Sequence, residues 1–171
     1  MNFLELKSNL VHQNKVPSPF CINKIEFGFK WINRCETLDV LKVRNAKNVI
    51  KNLNESKKIK KEIHFDFIKN YLFLERMDFM IHDLAEECLI GGVNLNKTLH
   101  GYELGKYIGN EHYIGKGIAK VAVSSFLKYV DDFFQEITII HAKTKKNNFS
   151  NIHINESLGF KHYKILEDDF I

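Results

Sequence analysis

The sequence feature that most constrains the fold is a strand pattern joined by a glycine-bearing turn to a helix pattern. Residues 102–108 are aromatic and β-branched enough to predict a strand. Because the predicted helix begins directly after the turn, several of its N-terminal amides lack a partner within the helix and favour an anion there. The apolar residues that repeat at helical spacing are Ile118, Val121, Ala122 and Phe126.

The turn itself contains residues suited to phosphate. Gly115 and Gly117 lack a Cβ atom, so the backbone there adopts positive φ readily and can approach a ligand closely. Lys116, between them, adds a mobile positive charge. Glycines also precede helices for reasons of turn geometry alone, so this motif by itself does not distinguish a phosphate site from a structural turn.

A second motif lies further along the chain. After a predicted strand at Glu136–Ala142, the sequence of residues 147–160 predicts a short helix ended by Gly159 at its C′ position and followed by Phe160. The order of strand, glycine turn, helix, strand, asparagine, helix and Gly-Phe resembles the GNAT family of acyl-CoA-dependent N-acyltransferases. The resemblance covers roughly residues 27 to 166.

The resemblance implies a fold and a cosubstrate. The fold is an α/β layered domain with a central mixed, mostly antiparallel sheet flanked by helices. In the family, the glycine loop holds the pyrophosphate of coenzyme A, and an asparagine before the next helix contacts the pantetheine arm. Acetyl-CoA is therefore the expected cosubstrate, and the positions assigned to it are Tyr107, Ile108, Gly109, Tyr113, Gly115, Lys116, Gly117, Ile118, Ala119 and Asn148.

Direct attack on a thioester requires a neutral amine, a base and an oxyanion donor. Glu103 is the predicted base, because family members commonly use a glutamate on this strand. Strand alternation places Glu103 on one face with Gly105 and Tyr107. A surface carboxylate is an equally good interpretation of Glu103. The expected oxyanion donor is a backbone N–H between Tyr107 and Gly109.

One position departs from the family pattern. Many members have a tyrosine that acts as general acid four residues before the closing glycine, where this chain has Asn155. Coenzyme A leaves as a thiolate with an ordinary thiol pKa of about 8.5, so an acid is helpful rather than indispensable. Tyr163 is the candidate donor, although a packed strand tyrosine with its hydroxyl at the surface is the more frequent explanation.

The residues that bind the acceptor are expected on the first two predicted helices, which in this fold face the thioester. Arg44, Asn45 and His64 resemble the pattern of acetyltransferases that act on nucleotide-linked 4-amino sugars in flagellin glycosylation. Arg44 would bind a phosphate through its planar fork, and His64 would orient the acceptor or shuttle its proton. The structural alternatives are an ion pair of Arg44 with a surface carboxylate and a helix-face histidine.

Two other functions remain open from the sequence. An acetyltransferase of protein N-termini, similar to the ribosomal-protein-directed branch, would bind a basic peptide through acidic residues such as Glu75, Asp78, Glu86 and Glu87. A non-catalytic acyl-CoA-binding module would keep the coenzyme loop without turnover.

The composition is compatible with such an enzyme. A length of 171 residues, 44% of them hydrophobic, predicts a lead-in arm at residues 1–26 and one acyltransferase domain at residues 27–171. A formal charge of +4 with mostly scattered lysines requires no nucleic acid partner. The three cysteines have neither a CxxC nor a metal-binding spacing, which favours free thiols and no metal in a cytoplasmic protein. No apolar run approaches the ~20 residues that a membrane span needs.

The remaining elements follow from periodicity. Strands are predicted at Phe27–Cys35, Met77–His82 and Cys88–Leu95. Thr37 is expected to cap a helix that buries Leu38, Leu41, Val49 and Leu53, and Ser56 one that buries Ile59, Ile63, Phe67 and Tyr71. Little sequence follows a last strand at Phe160–Leu166, so either the N-terminal arm or a second copy of the chain in a homodimer is expected to cover that sheet edge.

Overall fold

Six strands form one sheet in the part of the chain that the structure describes. The structure is a computed structural model that describes residues 1–52 and 57–162. The strands lie in chain order across the sheet, and all neighbours are antiparallel except β5 and β6, which are parallel. Their bounds are β1 Phe20–Ile22, β2 Ile25–Trp31, β3 Arg76–Asp83, β4 Cys88–Thr98, β5 Gly101–Ile108 and β6 Ile140–His141.

Helices cover both faces of this sheet, which confirms the predicted α/β class with a mixed, mostly antiparallel sheet. None of the helices in the described ranges is long and apolar enough to span a bilayer. Their bounds are α1 Phe3–His12, α2 Thr37–Arg44, α3 Lys47–Ile50, α4 Lys61–Asn70, α5 Ile118–Phe133 and α6 Phe149–Ser157.

Alternation along β3 separates the two faces of the sheet. Phe79 packs against Phe126 and Tyr129 of α5, at ring-centroid distances of 5.7 and 5.3 Å. The next residue, Met80, points to the opposite face, where the Tyr107 hydroxyl of β5 donates to its Sδ over 3.5 Å. Side chains of α2 and α4 contact β5 and β3 on this second face. The sheet therefore lies between α5 on one side and α2 and α4 on the other.

The parallel strands β5 and β6 pair over only two residues. Tyr102 pairs with Ile140 and Glu103 with His141, after which the recorded pairing ends although β5 continues to Ile108. The predicted strand at 136–142 is thus confirmed in position but is only two residues long. Beyond Glu103, the β6 side of β5 has no strand partner among the described residues, and we call this region the opening.

The predicted helices differ from the observed ones in their bounds and in the residues that they bury. The helix expected from Thr37 to Leu53 is two helices, α2 and α3, and α4 begins at Lys61. Leu38 and Ile63 are 53% and 61% exposed, while Val40 and His64 are buried. A helical period in the sequence allows more than one side of the helix to be the buried side, and packing on the sheet decides which side is buried here. Leu53 and the predicted cap Ser56 lie outside the described residues.

The predicted lead-in arm begins with a helix, because residues 3–12 form α1. Asn2 accepts a hydrogen bond from the Glu5 N–H and Glu5 accepts one from Asn2, so a capping box starts the helix. The helical stripe was missed because it contains a lysine, its buried members being Phe3, Lys7, Leu10 and Val11.

The following segment forms β1 beside β2, at the edge of the sheet opposite to β6. The strand β1 therefore does not cover the β6 edge, and the homodimer stays a prediction.

Lys7 is a buried cation that joins α1 to the turn after α4. Its Nζ donates to the carbonyl oxygens of Tyr71 at 2.5 Å and Leu74 at 2.8 Å, and it lies 3.8 Å from the centroid of the Tyr71 ring. Burial lowers the pKa of Lys7 to about 8, and the nearby Asp78 only partly opposes this. The hydrogen bonds and the ring make the burial of this amine tolerable.

We expect Lys7 to make the stability of the fold depend on pH. Its folded pKa of about 8 lies below the ordinary lysine pKa of 10.5, so the unfolded chain binds more protons between these two pH values. The free energy of unfolding should therefore rise with pH from Lys7, by at most ~1.4 kcal/mol per pH unit. Denaturant unfolding of Lys7→Met across this window should show a smaller slope than the parent. Equal slopes in the two proteins would contradict this assignment, since the other titrating groups are common to both.

Candidate functional site

The glycine turn before α5 has an open backbone. Gly115 and Gly117 have φ values of 76° and 77°, and Gly117 is the N-cap of the 16-residue helix α5. A Cβ atom built on either glycine would meet no atom within 4 Å. The first amides of α5 have no acceptor within the helix and lie at the positive end of its dipole. This turn fits a phosphate group that approaches the backbone closely.

Tyr113 braces the turn. Its hydroxyl donates to Asp83 Oδ2 over 3.0 Å, and its ring lies edge-on to Phe27 at 6.1 Å. Burial and the neighbouring thiol and carboxylate raise the pKa of Tyr113, so the phenol stays protonated. Lys116 is exposed, with its Nζ 5.3 Å from the centroid of the Tyr113 ring. Tyr113 is thus tied to the sheet, while Lys116 offers the charge.

The end of β5 is attached to its neighbours on both sides. The Gly109 N–H donates to the Ile90 carbonyl over 2.8 Å, and the Ile108 carbonyl accepts from Asn48 Nδ2 over 2.6 Å. The Tyr102 N–H donates to the Ile139 carbonyl next to β6. Since backbone groups alternate in direction along a strand, the even-numbered residues of β5 point their N–H groups toward β6. Of the three predicted oxyanion donors, Ile108 therefore directs its N–H into the opening.

Glu103 lies where the β5–β6 pairing ends. Its Oε2 is 3.9 Å from His141 Nε2, across the last pair of the ladder, and its side chain is 35% exposed. The His141 Nδ1 atom is buried without a hydrogen-bond partner in the described part of the chain. The carboxylate is therefore at the entrance of the opening, accessible to solvent and beside an imidazole that the sequence did not single out.

Arg44 lies over Tyr107, on the same face of β5 as Glu103. Its Cζ lies 5.0 Å from the centroid of the Tyr107 ring, and among the described residues no carboxylate forms an ion pair with it. The alternative of a surface ion pair of Arg44 finds no partner in residues 1–52 and 57–162. Burial raises the pKa of Tyr107 to about 12, so the phenol under the guanidinium is neutral.

Asn45 and His64 are placed differently from each other. Both polar groups of Asn45 are engaged with the backbone of Ile59, at 2.9 and 2.8 Å, so this side chain fixes the segment before α4. His64 is 4% exposed, and its Nε2 is buried without a partner among the described residues. Burial lowers the pKa of His64, which favours the neutral imidazole.

Helix α6 begins and ends as predicted. The Asn148 side chain caps it by accepting from the Asn151 N–H over 3.3 Å, and Gly159, with a φ of 88°, follows its C-cap. Asn155 lies at its buried face, where Nδ2 donates to Thr144 Oγ1 over 3.1 Å. Tyr163, the predicted acid, lies outside the described residues.

The sequence analysis missed one contact of Asn155. Lys106 of β5 donates from its Nζ to Asn155 Oδ1 and so connects β5 to α6. The signal was present, because alternation places a lysine between Leu104 and Ile108 on the face that packs inward.

Metal ligands are not assembled in the described ranges. No group of three or more histidine, cysteine, aspartate or glutamate side chains is placed to hold a metal ion there. The three cysteines are free thiols.

Comparison with known proteins identifies the family. A family model for an acetyltransferase (GNAT) domain matches residues 37–161, most of the chain. The chain belongs to the GNAT acetyltransferase family. It is therefore an acyltransferase, which removes the non-catalytic alternative, and the family uses acetyl-CoA. A search of the curated proteins found no significant match.

Solved structures share the fold of this acetyltransferase. A domain from Methanocaldococcus jannaschii aligns with a TM-score of 0.72 and 24% identity, over 85% of this chain and 95% of that one. Spermidine N-acetyltransferase from Vibrio cholerae, in complex with CoA and spermine, aligns with a TM-score of 0.70 and 21% identity, over 82% and 83%. The Campylobacter jejuni N-acetyltransferase PseH aligns with a TM-score of 0.59 and 18% identity, over 84% and 93%.

Replacing Gly117 by valine should weaken acetyl-CoA binding. A β-branched residue at a φ of 77° is strained by about 1–3 kcal/mol, so the turn would move its amides away from the phosphates. Lys116→Ala should have a smaller effect, because the amides rather than the exposed amine define the site. Titration calorimetry with acetyl-CoA measures both.

Gly159→Val is the matched control, since Gly159 also has positive φ but ends α6. It should lower stability while leaving affinity near that of the parent. Unchanged affinity in a folded Gly117→Val protein would remove the glycine turn from the coenzyme site.

Proposed function

We propose that this acetyltransferase transfers an acetyl group from acetyl-CoA directly to a primary amine, with the amino group of a nucleotide-linked sugar as the best-supported acceptor. The observation that carries the proposal is the position of Glu103 at the last β5–β6 pair. There a carboxylate stands at the entrance to the opening between the strands.

The coenzyme is expected along this opening. The amides of Gly117, Ile118 and Ala119 would hold its pyrophosphate, with Lys116 adding charge. The side-chain oxygen of Asn148 accepts the capping hydrogen bond of α6, so its side-chain nitrogen is the group available to the pantetheine arm. Acetyl-CoA supplies the activated acetyl thioester.

The residues of β5 provide two of the groups that direct transfer needs. Glu103 takes the proton from the incoming ammonium or amine, which makes the nitrogen lone pair available. The Ile108 N–H, which points into the opening, stabilises the negative charge on the acetyl oxygen. Both groups belong to one strand, so their spacing is fixed by backbone geometry rather than by flexible side chains.

Two of the four acidic residues that could recognise a basic peptide, Glu75 and Asp78, already have cationic partners, which favours an anionic or neutral acceptor. Asp78 is buried and paired with Arg76 through two hydrogen bonds, and Glu75 pairs with Lys97 at 2.5 Å. These carboxylates are therefore neutralised. Arg44 has no such partner among the described residues, and its fork suits a phosphate.

Glu103→Gln should lower turnover by roughly 10²–10⁴ while leaving acetyl-CoA affinity nearly intact, because it removes a general base and not a coenzyme contact. The acidic limb of the pH profile should disappear with the carboxylate. Steady-state kinetics with detection of the released thiol measures this. Glu111→Gln, which neutralises an exposed carboxylate in the turn before α5, is the control and should retain activity. Parent-like turnover of Glu103→Gln would make Glu103 a structural carboxylate.

Arg44→Ala should raise the KM of a phosphorylated acceptor without changing that of acetyl-CoA, because a charged hydrogen bond of roughly 1.5–3 kcal/mol is lost. A screen of nucleotide amino sugars, N-terminal peptides, polyamines and aminoglycosides by thiol release identifies the acceptor class. Lys47→Ala, which removes an exposed cation from α3, is the matched control. Preference for basic N-terminal peptides, improved further by Arg44→Ala, would replace the amino-sugar proposal by the protein-directed one.

A further inference from the structure

Lys106 lies in the part of β5 beyond its last described pair with β6. The recorded pairing of the two strands ends at Glu103, and Lys106 follows three residues later. Its side chain crosses from β5 to α6, where Nζ donates to Asn155 Oδ1. The amine therefore spans one side of the opening, on the strand face opposite to that of Glu103.

Neutral groups hold the Lys106 amine in place. Asn155 donates in turn to Thr144 Oγ1, which also accepts from Asn151 Nδ2 over 2.9 Å. Burial is the single cause that lowers the pKa of Lys106, to about 8, and no carboxylate within the described ranges pairs with it. Such an amine exchanges its proton near the ordinary thiol pKa of about 8.5.

We propose that Lys106 is the general acid that protonates the departing coenzyme A sulfur, with Asn155 as the residue that positions it. The inference rests on the proposed function, since it takes the thioester to lie in the opening. An ammonium has three N–H groups, and among the described residues Asn155 Oδ1 accepts a hydrogen bond from one of them. The others are left for a ligand.

The protons balance across the two faces of β5. The amine nitrogen forms its bond to the acetyl carbon and gives a proton to Glu103. The carbon–sulfur bond breaks with its electron pair on sulfur, and the sulfur takes a proton from Lys106 Nζ. Glu103 is left protonated and Lys106 neutral, and exchange with water restores both.

Binding tests the position of Lys106 without turnover. Titration calorimetry at about the pKa of Lys106 compares coenzyme A with desulfo-coenzyme A, which lacks the sulfur. The parent should prefer coenzyme A by roughly 10-fold, as a charge-assisted contact to sulfur requires. Lys106→Met should lose the preference, and Lys106→Arg, which keeps a charge, should retain part of it. Lys128→Met, at an exposed position on α5, is the control.

Kinetics separates proton donation from charge alone. The kcat of the parent should fall as the pH rises through the pKa of Lys106, because the protonated amine is the donor. Lys106→Met should lower kcat by roughly 10–100-fold, toward the small end of general-acid effects, and remove this fall. Lys106→Arg should also lack the fall, since a guanidinium does not deprotonate. Thermal unfolding verifies that each variant is folded.

The outcomes distinguish this inference from the proposed function. Equal coenzyme preference and equal pH profiles in the parent and Lys106→Met, with the parent active, would overturn the role of Lys106 alone. A parent that binds neither coenzyme compound would overturn the proposed function and this inference together. Loss of preference and of the alkaline fall in Lys106→Met supports both.

Discussion

The early end of the β5–β6 pairing is the constraint on which the rest of the site depends. The two parallel strands pair at only two residues, so the later backbone groups of β5 have no strand partner on that side within residues 1–52 and 57–162. Such groups are costly to leave unsatisfied when they are buried. Asn48 occupies one of them, the Ile108 carbonyl, and Lys106 connects the same part of β5 to α6.

One strand then presents different chemistry to each side. Because successive side chains of β5 alternate, Glu103 lies on the face covered by α2 and α4, and Lys106 lies on the other face and contacts α6. The backbone keeps the two ionisable groups apart, so a carboxylate and an amine coexist without forming an ion pair. This separation suits a reaction that takes a proton from one atom and delivers another elsewhere.

On the face of the sheet that carries α2 and α4, burial decides which charged groups are paired. Asp78, set in the sheet under α4, is held by Arg76 and contacts the Tyr71 hydroxyl through its backbone N–H at 2.7 Å. Asp78 belongs to the same buried polar cluster as Lys7, and its charge raises the pKa of Lys7 against the larger effect of burial. A carboxylate used in this way stabilises the fold and is not available to recognise a cationic acceptor. Arg44 differs, since its neighbour is the neutral Tyr107 ring.

Sequence alone determined the parts of the protein that depend on local backbone geometry. The positive φ of Gly117 and Gly159, the Asn148 cap and the alternation of β5 follow from short-range sterics and hydrogen bonding, which are written in neighbouring residues. The family resemblance predicted the order of the core elements. Bounds were less accurate, and α1 was missed because a lysine interrupted its apolar stripe.

Only the tertiary structure decided which groups meet across distant elements. Three contacts depend on register and packing between segments that are separated in the chain. They are those of His141 with Glu103, Lys106 with Asn155 and Asn45 with Ile59. Burial also changes the chemistry of these groups, because it lowers the pKa of Lys106 and of His64 by removing water from around them. No pattern in the linear sequence carries that information, since desolvation is a property of the assembled fold.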